Sequence, residues 1–347
     1  MHDIKELSLQ ELEGILLSRG SRKYYAREIF NWVYQKGVAE FGQMSNLPAP
    51  LRESLAGEFS ILNLKLVNKL ISGDGTTKFL FALADKNLIE AVNIPMSKFD
   101  LRAITGCISS QVGCKFCCNF CASGIKGFKR NLTSNEILDE VLYLKNHSSP
   151  GQLTHIVFMG TGEPLDNYEN VLSAIRVINS PAAFNIGARR ITISTCGIIP
   201  GIKKLALEDL QVELSISLHA AQDKIRSVLM PVNKKYPLAE LIKCCHEYIA
   251  KTNRQITFEY ILINGVNADL TAAQDLAALL KDLRLAKVNL IPANPIPELK
   301  IVAPPTAQII AFKEYLLKSG LPVTLRREHG QDIDAACGQL RLKHGKN

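Results

Sequence analysis

The chain predicts an α/β protein: a small helical head, a β-hairpin, and then six strand-then-helix units that build a parallel barrel or open sheet. Two patterns carry that prediction. From about residue 104, short apolar runs (ITGCISS, HIVFMG, RRITIST, VELSISL, QITFEYIL, KVNLIP) alternate with amphipathic stretches such as SNEILDEVLYLK and AAQDLAALLKDL. Strands buried on both faces read as near-continuous apolar runs, and parallel strands joined through helices need right-handed crossovers. Before residue 60 the periodicity is helical instead. The expected divisions are a helical accessory head at 1–60, a hairpin linker or extension at 61–95, and a barrel with its C-terminal loop at 96–347.

Taken in order, Ser8 and Glu11 form a capping box ahead of LQELEGILLSRG, and Gly20 is placed to end that helix. Two more helices are expected around 25–35 and 50–58. Between the first two, SRGSRKYYAR interleaves Arg19, Arg22, Lys23 and Arg27 with Tyr24 and Tyr25. Such a mixture suits RNA, where phosphates meet cations and unstacked bases meet rings, and it equally suits a solvated turn with two core tyrosines. LKLVNKLISGDGTTKFLFAL reads as two strands joined around Gly73-Asp74-Gly75. PVTLRRE supplies a last strand before the tail, and no GxGxxG follows any strand, which argues against a dinucleotide-binding fold.

The chain has 347 residues, of which 47% are hydrophobic and 21% charged, enough to bury a large core beside a small one. No apolar run approaches the ~18 residues that span a bilayer, and MHDIKELSLQELEG has neither the apolar segment nor the charge pattern of a leader. A reducing cytoplasm is expected, with no membrane partner. A formal net charge of +8 favours a polyanionic partner.

Five of the nine cysteines fall between Cys107 and Cys121. Cys114, Cys118 and Cys121 stand at C-x3-C-x2-C, a spacing at which three thiolates can hold three irons of a 4Fe-4S cluster and leave the fourth open to an outside ligand. Cys114/Cys117 and Cys118/Cys121 are also two C-x2-C pairs, which leaves a zinc site possible, although zinc modules usually separate their pairs by about a dozen residues. A disulfide framework fits poorly with so few cysteines and no leader. In a parallel barrel functional groups gather at the C-terminal ends of strands, and this loop follows the first strand.

Other polar groups stand at the following strand ends: Gly160, Gly162 and Glu163 in MGTGEP, Ser194, then Ser217-Leu218-His219, and Asn294 in IPANPIP. Singly each reads as a cap or turn residue, and together they describe a polar small-molecule site. The tail, HGQDIDAACGQL, sets Cys337 among small and polar residues, which suggests a loop near a site. Cys196, Cys244 and Cys245 lie on strand or helix patterns and read as core or surface thiols.

CISSQVGC with the C-x2-C that follows, then GFKRNLT, MGTGEPLDNY, GARRITIST, SISLHA, MPVNKKYPL, VNLIPANPIP and DIDAACGQL, together resemble the RlmN branch of the RlmN/Cfr radical S-adenosylmethionine methyltransferases. The resemblance runs from the head to Leu340. It implies a partial (β/α)6 barrel behind an N-terminal accessory domain. It further implies C2 methylation of adenosine 2503 of 23S rRNA and adenosine 37 of tRNA. A 4Fe-4S cluster on Cys114, Cys118 and Cys121 would serve two molecules of S-adenosylmethionine per turnover. By the same resemblance Gly162, Glu163, Ser194, Ser217, Leu218, His219 and Asn294 bind that cofactor, Cys337 is itself methylated, and Cys107 is its partner thiol. Glu90, in LIEAVNIP, matches an acid/base carboxylate, though MSKFDLRAITG places extra residues between it and Cys107. Cys117 is an added thiol beside the expected ligands. Partners implied are both RNAs, a one-electron donor and a disulfide reductant. Arg19, Arg22, Lys23, Arg27 and the pair Tyr24 and Tyr25, with Lys126, Lys129 and Arg130 of GIKGFKR, are the candidate RNA contacts. Two alternatives remain: C8 methylation of the same rRNA adenosine, as in the Cfr branch, and a zinc-stabilised RNA-binding module without catalysis.

Overall fold

The computed structural model describes residues 1–96, 102–148, 150–294, 299, 301–326, 329–336 and 338–340; Cys337 lies outside the described residues. In the head, a short strand β1 (His2–Asp3) pairs in parallel with β2 (Phe59–Ser60), so the segment's two ends meet. Helix α1 (Leu9–Ser18) begins at the expected capping box: Ser8 Oγ accepts from the Glu11 amide at 3.2 Å, and Glu11 Oε2 accepts from the Ser8 amide at 2.8 Å. Helix α2 (Tyr24–Phe30) continues into a π-helical turn over Asn31–Lys36, and α3 (Ala49–Glu58) completes the head.

The hairpin is larger than the sequence reading has it. Strands β3 (Lys65–Ile71) and β4 (Thr77–Ala82) are followed by β5 (Leu88–Pro95), and β5 pairs antiparallel with β6 (Ala103–Cys107). The segment is therefore one edge of the main sheet rather than a link to it. The turn into β5 contains no glycine; Lys86 adopts the left-handed conformation (φ 66°), so the usual signal for a turn was missing.

The remaining strands of this sheet are β9 (Gln152–Phe158), β10 (Ile191–Thr195), β11 (Glu213–Ser217), β12 (Ile256–Leu262), β13 (Ala286–Pro292) and β14 (Val323–Leu325), all parallel to β6. A separate ribbon of β7 (Gln111–Gly113) and β8 (Phe128–Asn131) brackets the cysteine loop. The sheet order β6-β9-β10-β11-β12-β13-β14 follows the chain. Each crossover therefore steps in the same direction and, being right-handed, places its helix on the same face. Those helices are α4 (Ser134–Asn146), α5 (Tyr168–Asn179), α6 (Ile199–Leu205), α8 (Leu238–Thr252), α9 (Leu270–Leu280) and α10 (Thr306–Lys318), whereas the short α7 (Asp223–Leu229) sits at the strand ends, with Leu229 packed beside Cys196 and Ile261. The other face becomes the concave interior of a barrel that stays open between β14 and β3.

The main apolar core runs without a break from Leu12, Leu16 and Leu55 of the head to Ile156, Ile193 and Phe258 of the barrel. Lys5 reinforces that junction from a fully buried position, 2.8 Å from both Asp3 and Asp139 of α4. Cys244 and Cys245 are buried in this core on α8, as expected of apolar thiols. Among the described residues no helix is long and apolar enough to cross a membrane.

Candidate active site

Six strands end around one cavity. The segments at the C-terminal ends of β9 to β13 contribute Gly162, Glu163, Ser194, Ser217, His219, Ile261 and Ile291, while the loop after β6 contributes Cys114, Cys118 and Cys121; the cavity measures about 160 Å³. Gly162 (φ 111°) closes the turn after β9, where a Cβ would stand 2.6 Å from Gln111 Cβ. A side chain is excluded there because the β9 turn packs directly onto the start of the cysteine loop.

The three thiols fit a cluster. Burial, followed by repulsion from its thiol neighbours, pushes Cys114 up to about 12, and the same causes raise Cys118 well above an ordinary thiol. Groups that resist becoming thiolates alone become so when cations share the charge, which is what iron provides. The thiols surround the cavity, and among the described residues no three Cys, His, Asp or Glu side chains meet at a single ion's ligand positions. Cys117, which a four-cysteine zinc site would need, is exposed and does not line the cavity.

Polar groups complete the lining beside the thiols. Glu163 is buried; its Oε2 accepts from the Cys196 amide at 2.7 Å and its Oε1 from the Leu165 amide at 3.0 Å. Burial raises its pKa, and these hydrogen bonds oppose the rise. His219 is buried too, and burial with the nearby Arg226 cation lowers its pKa to about 3, so the ring is neutral. Its Nδ1 accepts from the Ile261 amide at 3.0 Å, which assigns the proton to Nε2 and makes that nitrogen a donor. Leu218 does not line the cavity; it is fully buried, and its carbonyl forms part of the supporting framework.

A second, smaller cavity of about 60 Å³ adjoins the first and shares Cys121, Ser123, Met159, Gly160 and Gly338 with it. Cys107 and Asn294 line this one, together with His329, Ala335 and Ala336 of the tail. Asn294 Oδ1 accepts from Gln331 Nε2 at 2.8 Å, so it faces the tail rather than the first cavity. Glu90 lines neither. It is buried on β5 with Oε1 3.4 Å from Lys78 Nζ, on the same strand face as Val92, which packs against Cys107.

Several residues at the site carried no role in the sequence reading. Cys196 is a buried core thiol as read, but its apolar cluster lies just past the end of β10, and it also lines the first cavity with Cys114 and Cys118. Arg226, on α7, is completely buried. Its guanidinium donates to the carbonyls of Leu218 (3.0 Å), Cys196 (2.9 Å) and Ser217 (3.1 Å) and to Asn233 Oδ1 (2.7 Å), tying the ends of β10 and β11 together. In the sequence KIRSVL resembles an exposed amphipathic helix, and only the following MPVN hinted that the stretch was special. Glu259 places a second carboxylate on the cavity wall, hydrogen-bonded to Asn289 at 2.7 Å. Of the candidate RNA contacts, Arg130 is committed elsewhere, 2.7 Å from Asp85 and 2.8 Å from Glu136. Tyr24 is exposed and lies against Tyr25 with ring centroids 4.3 Å apart and the planes tilted by 38°, so the pair is not simply core.

Comparison with known proteins converges on one family. Residues 108–289 match the family described as the radical SAM superfamily, and residues 2–61 match the ribosomal RNA large subunit methyltransferase N-terminal domain. A protein of Geobacillus kaustophilus described as a probable dual-specificity RNA methyltransferase RlmN is 47% identical, over 99% of this chain and 93% of its own. A protein of Caldanaerobacter subterraneus with the same description is 45% identical over 100% and 99% of the two chains. Among solved structures, a radical SAM methyltransferase from Sphaerobacter thermophilus superimposes with a TM-score of 0.94 at 42% identity, covering 99% of this chain and 100% of that one.

Proposed function

This chain belongs to the RlmN family of radical S-adenosylmethionine RNA methyltransferases, and from that premise we propose that it methylates C2 of adenosine 2503 in 23S rRNA and of adenosine 37 in tRNA. We further propose that it does so in the cytoplasm through a methylated cysteine, Cys337, and a resolving cysteine, Cys107. The observation that supports this most is the second cavity: Cys107 shares it with Ala336 and Gly338, the residues on either side of Cys337, and it opens onto the cavity of the three cluster thiols.

Cys114, Cys118 and Cys121 would hold the 4Fe-4S cluster. Together with S-adenosylmethionine, the cluster supplies one-electron chemistry and the methyl group. Glu163 and the Nε2–H of His219 offer, respectively, an acceptor for an ammonium group and a donor for a carboxylate or hydroxyl, with Gly162, Ser194 and Ser217 completing the wall. An electron-poor ring carbon has no lone pair with which to attack a sulfonium methyl, so the methyl travels by way of Cys337. The thiolate of Cys337 takes it, with S-adenosylhomocysteine leaving; a hydrogen atom of that methyl would then pass to the 5′-deoxyadenosyl radical a second cofactor molecule supplies, and the carbon adds to the base, tethering it to the protein. The adduct gives up its ring proton to a base and one electron to the oxidised cluster. Cys107 then attacks the Cys337 sulfur; an S–S bond forms as the S–C bond breaks, its electron pair stays on the methylene carbon, which takes up a proton to become the product methyl, and a cellular reductant restores both thiols. Glu90, buried on the Cys107 side of the sheet, is the candidate for moving the ring proton. The adenine must leave its stack to reach this chamber.

Cys337→Ala is expected to abolish methylation, and Cys107→Ala to accumulate RNA covalently attached to the protein, read by denaturing gel and mass spectrometry. Normal turnover by Cys107→Ala would overturn the two-cysteine route. A methyl located at C8 rather than C2 would overturn the regiochemistry.

A further inference from the structure

The tail loop that walls the Cys107 cavity is gripped by a turn more than 250 residues earlier in the chain. Asp74, in the turn between β3 and β4, directs Oδ2 at the tail, 3.2 Å from the Gly330 amide and 3.1 Å from His329 Nδ1; its Oδ1 accepts from its own Thr76 amide at 2.9 Å. Asp332 of the tail returns the arrangement, with Oδ1 accepting from Ser72 Oγ at 2.6 Å and Oδ2 from the Gly73 amide at 3.3 Å. A third tie runs from Lys78 Nζ to the Asp334 carbonyl at 3.0 Å. The contact is close as well as polar: at Gly330 (φ 64°) a Cβ would stand 2.9 Å from Thr76 Cγ2. Both carboxylates are ionised at neutral pH. Burial opposes this at Asp74, but the hydrogen bonds prevail and lower it to about 2, and Asp332 is lowered by its bond to Ser72.

The other side of the loop is attached to the site itself, through Ala122 N–H to the Gly338 carbonyl at 2.7 Å and through Gln331 to Asn294. The tail is thus held from two sides, by the β3–β4 turn on one and by the site on the other, with Ala335 and Leu340 packed against Cys107 and Val92 between them.

We infer that the β3–β4 turn is a positioning device for the reaction: the reciprocal carboxylates Asp74 and Asp332 fix the tail loop against the antiparallel edge of the sheet and so hold the wall of the Cys107 cavity in register. Asp74, Ser72 and Asp332 touch neither the cofactor cavity nor the cluster loop, so they are positioning residues. The inference rests on the two-cysteine reading given above. Its signature is uncoupling. When the loop is loose, S-adenosylmethionine is still cleaved, but fewer cleavage events end in methylated RNA.

The test compares wild-type holoenzyme with Asp74→Ala/Asp332→Ala and with the milder Ser72→Ala. In the double variant iron content and S-adenosylmethionine affinity are expected to match wild type, while RNA methylation falls by about 10²-fold, the scale of a small misplacement of reacting groups. The ratio of 5′-deoxyadenosine to methylated RNA should rise, and amide hydrogen exchange should quicken in residues 329–340 and at the Gly73 and Thr76 amides, which lose their carboxylate acceptors, and nowhere else. Ser72→Ala should move ratio and exchange in the same direction by less. An unchanged ratio in both variants overturns the inference, as does a loss of both products in proportion to lost iron. The underlying reading fails separately: methylation retained by Cys337→Ala would overturn it whatever Asp74 does.

Discussion

The two cavities are built by opposite means. Around the cluster thiols, polar groups sit at the ends of parallel strands whose backbone ladders fix them, and Arg226 locks those ends from behind. Around Cys107 the wall is a loop of little regular structure, held to an antiparallel edge by side-chain hydrogen bonds. A ladder resists displacement cooperatively, whereas a few side-chain bonds permit small movements one at a time. The difference suits the proposed chemistry. The cofactor side must present a fixed geometry at each cycle, while the Cys337 side must accommodate a thiol, a methyl thioether, a tethered base and a disulfide in turn.

The comparison breaks most readily at Arg226. Arg226→Ala removes a buried cation and its hydrogen bonds to the carbonyls of Leu218, Cys196 and Ser217, of which Leu218 keeps the Ala220 amide as a donor at 2.8 Å; the lost hydrogen bonds from a charged group put the cost on the order of 4 kcal/mol. The expected result is a thermal midpoint lowered by several degrees and S-adenosylmethionine affinity lost with it, measured by calorimetry on anaerobic protein. Arg226→Lys is expected to recover little, because one ammonium cannot reach a set of acceptors that the planar guanidinium spans. If Arg226→Ala kept its cofactor affinity, the strand ends would not need the lock, and the contrast between the two cavities would collapse.

The same contrast explains what was legible in the sequence. The strand-and-helix alternation fixed the parallel part, and the position of polar residues at strand ends brought Gly162, Glu163, Ser194, Ser217 and His219 to one wall with the three thiols. Those inferences work because a parallel strand's end points in a known direction. Arg226 escaped because its role lies in tertiary hydrogen bonds and its local sequence looks like a solvent-facing helix. Cys196 escaped because a thiol one residue past a strand end does not differ in pattern from a core thiol. The third antiparallel strand was hidden by a turn without glycine; the Asp74 turn was read, but not its role, because its partners lie too far along the chain for local pattern to connect. Asn294 was grouped with the cofactor wall by its place at a strand end, yet its side chain is turned to the tail.

A milder effect sharpens the account of the cofactor wall. His219 is fully buried with its pKa lowered to about 3 from an ordinary 6.5, so the native state stays neutral while the unfolded chain takes up a proton. The stability this neutral ring contributes is complete above pH 6.5 and declines as pH falls toward 3. The slope is at most about 1.4 kcal/mol per pH unit for one proton. His219→Asn keeps an acceptor for the Ile261 amide and tolerates the left-handed backbone at this position (φ 59°). Thermal midpoints taken between pH 7 and pH 5 should therefore fall less steeply for His219→Asn than for the parent. Parallel slopes would mean that the ring is protonated in the native protein and donates from both nitrogens, which the accepting Nδ1 contradicts.

The smallest effect is expected at Cys117, and it tests which cysteines belong to the rigid side. Two ligand registers share Cys114, Cys118 and Cys121, and only the one that recruits Cys117 requires its thiol to turn inward. The residue is exposed, has a left-handed backbone (φ 49°), and does not line the cavity its three neighbours line. Turning it inward would mean rebuilding the turn in which Gly124 passes close by, where even a Cβ would stand 3.1 Å from Cys117 Cα. Cys117→Ala has no donor atom that could take the place of a thiolate on iron. Iron and sulfide should remain at about four each per chain, the electron paramagnetic resonance of the reduced cluster should be unchanged, and methylation should stay within about twofold of the parent. A loss of iron in this variant alone would move Cys117 into the ligand set and return the zinc-like pairing of the loop to contention.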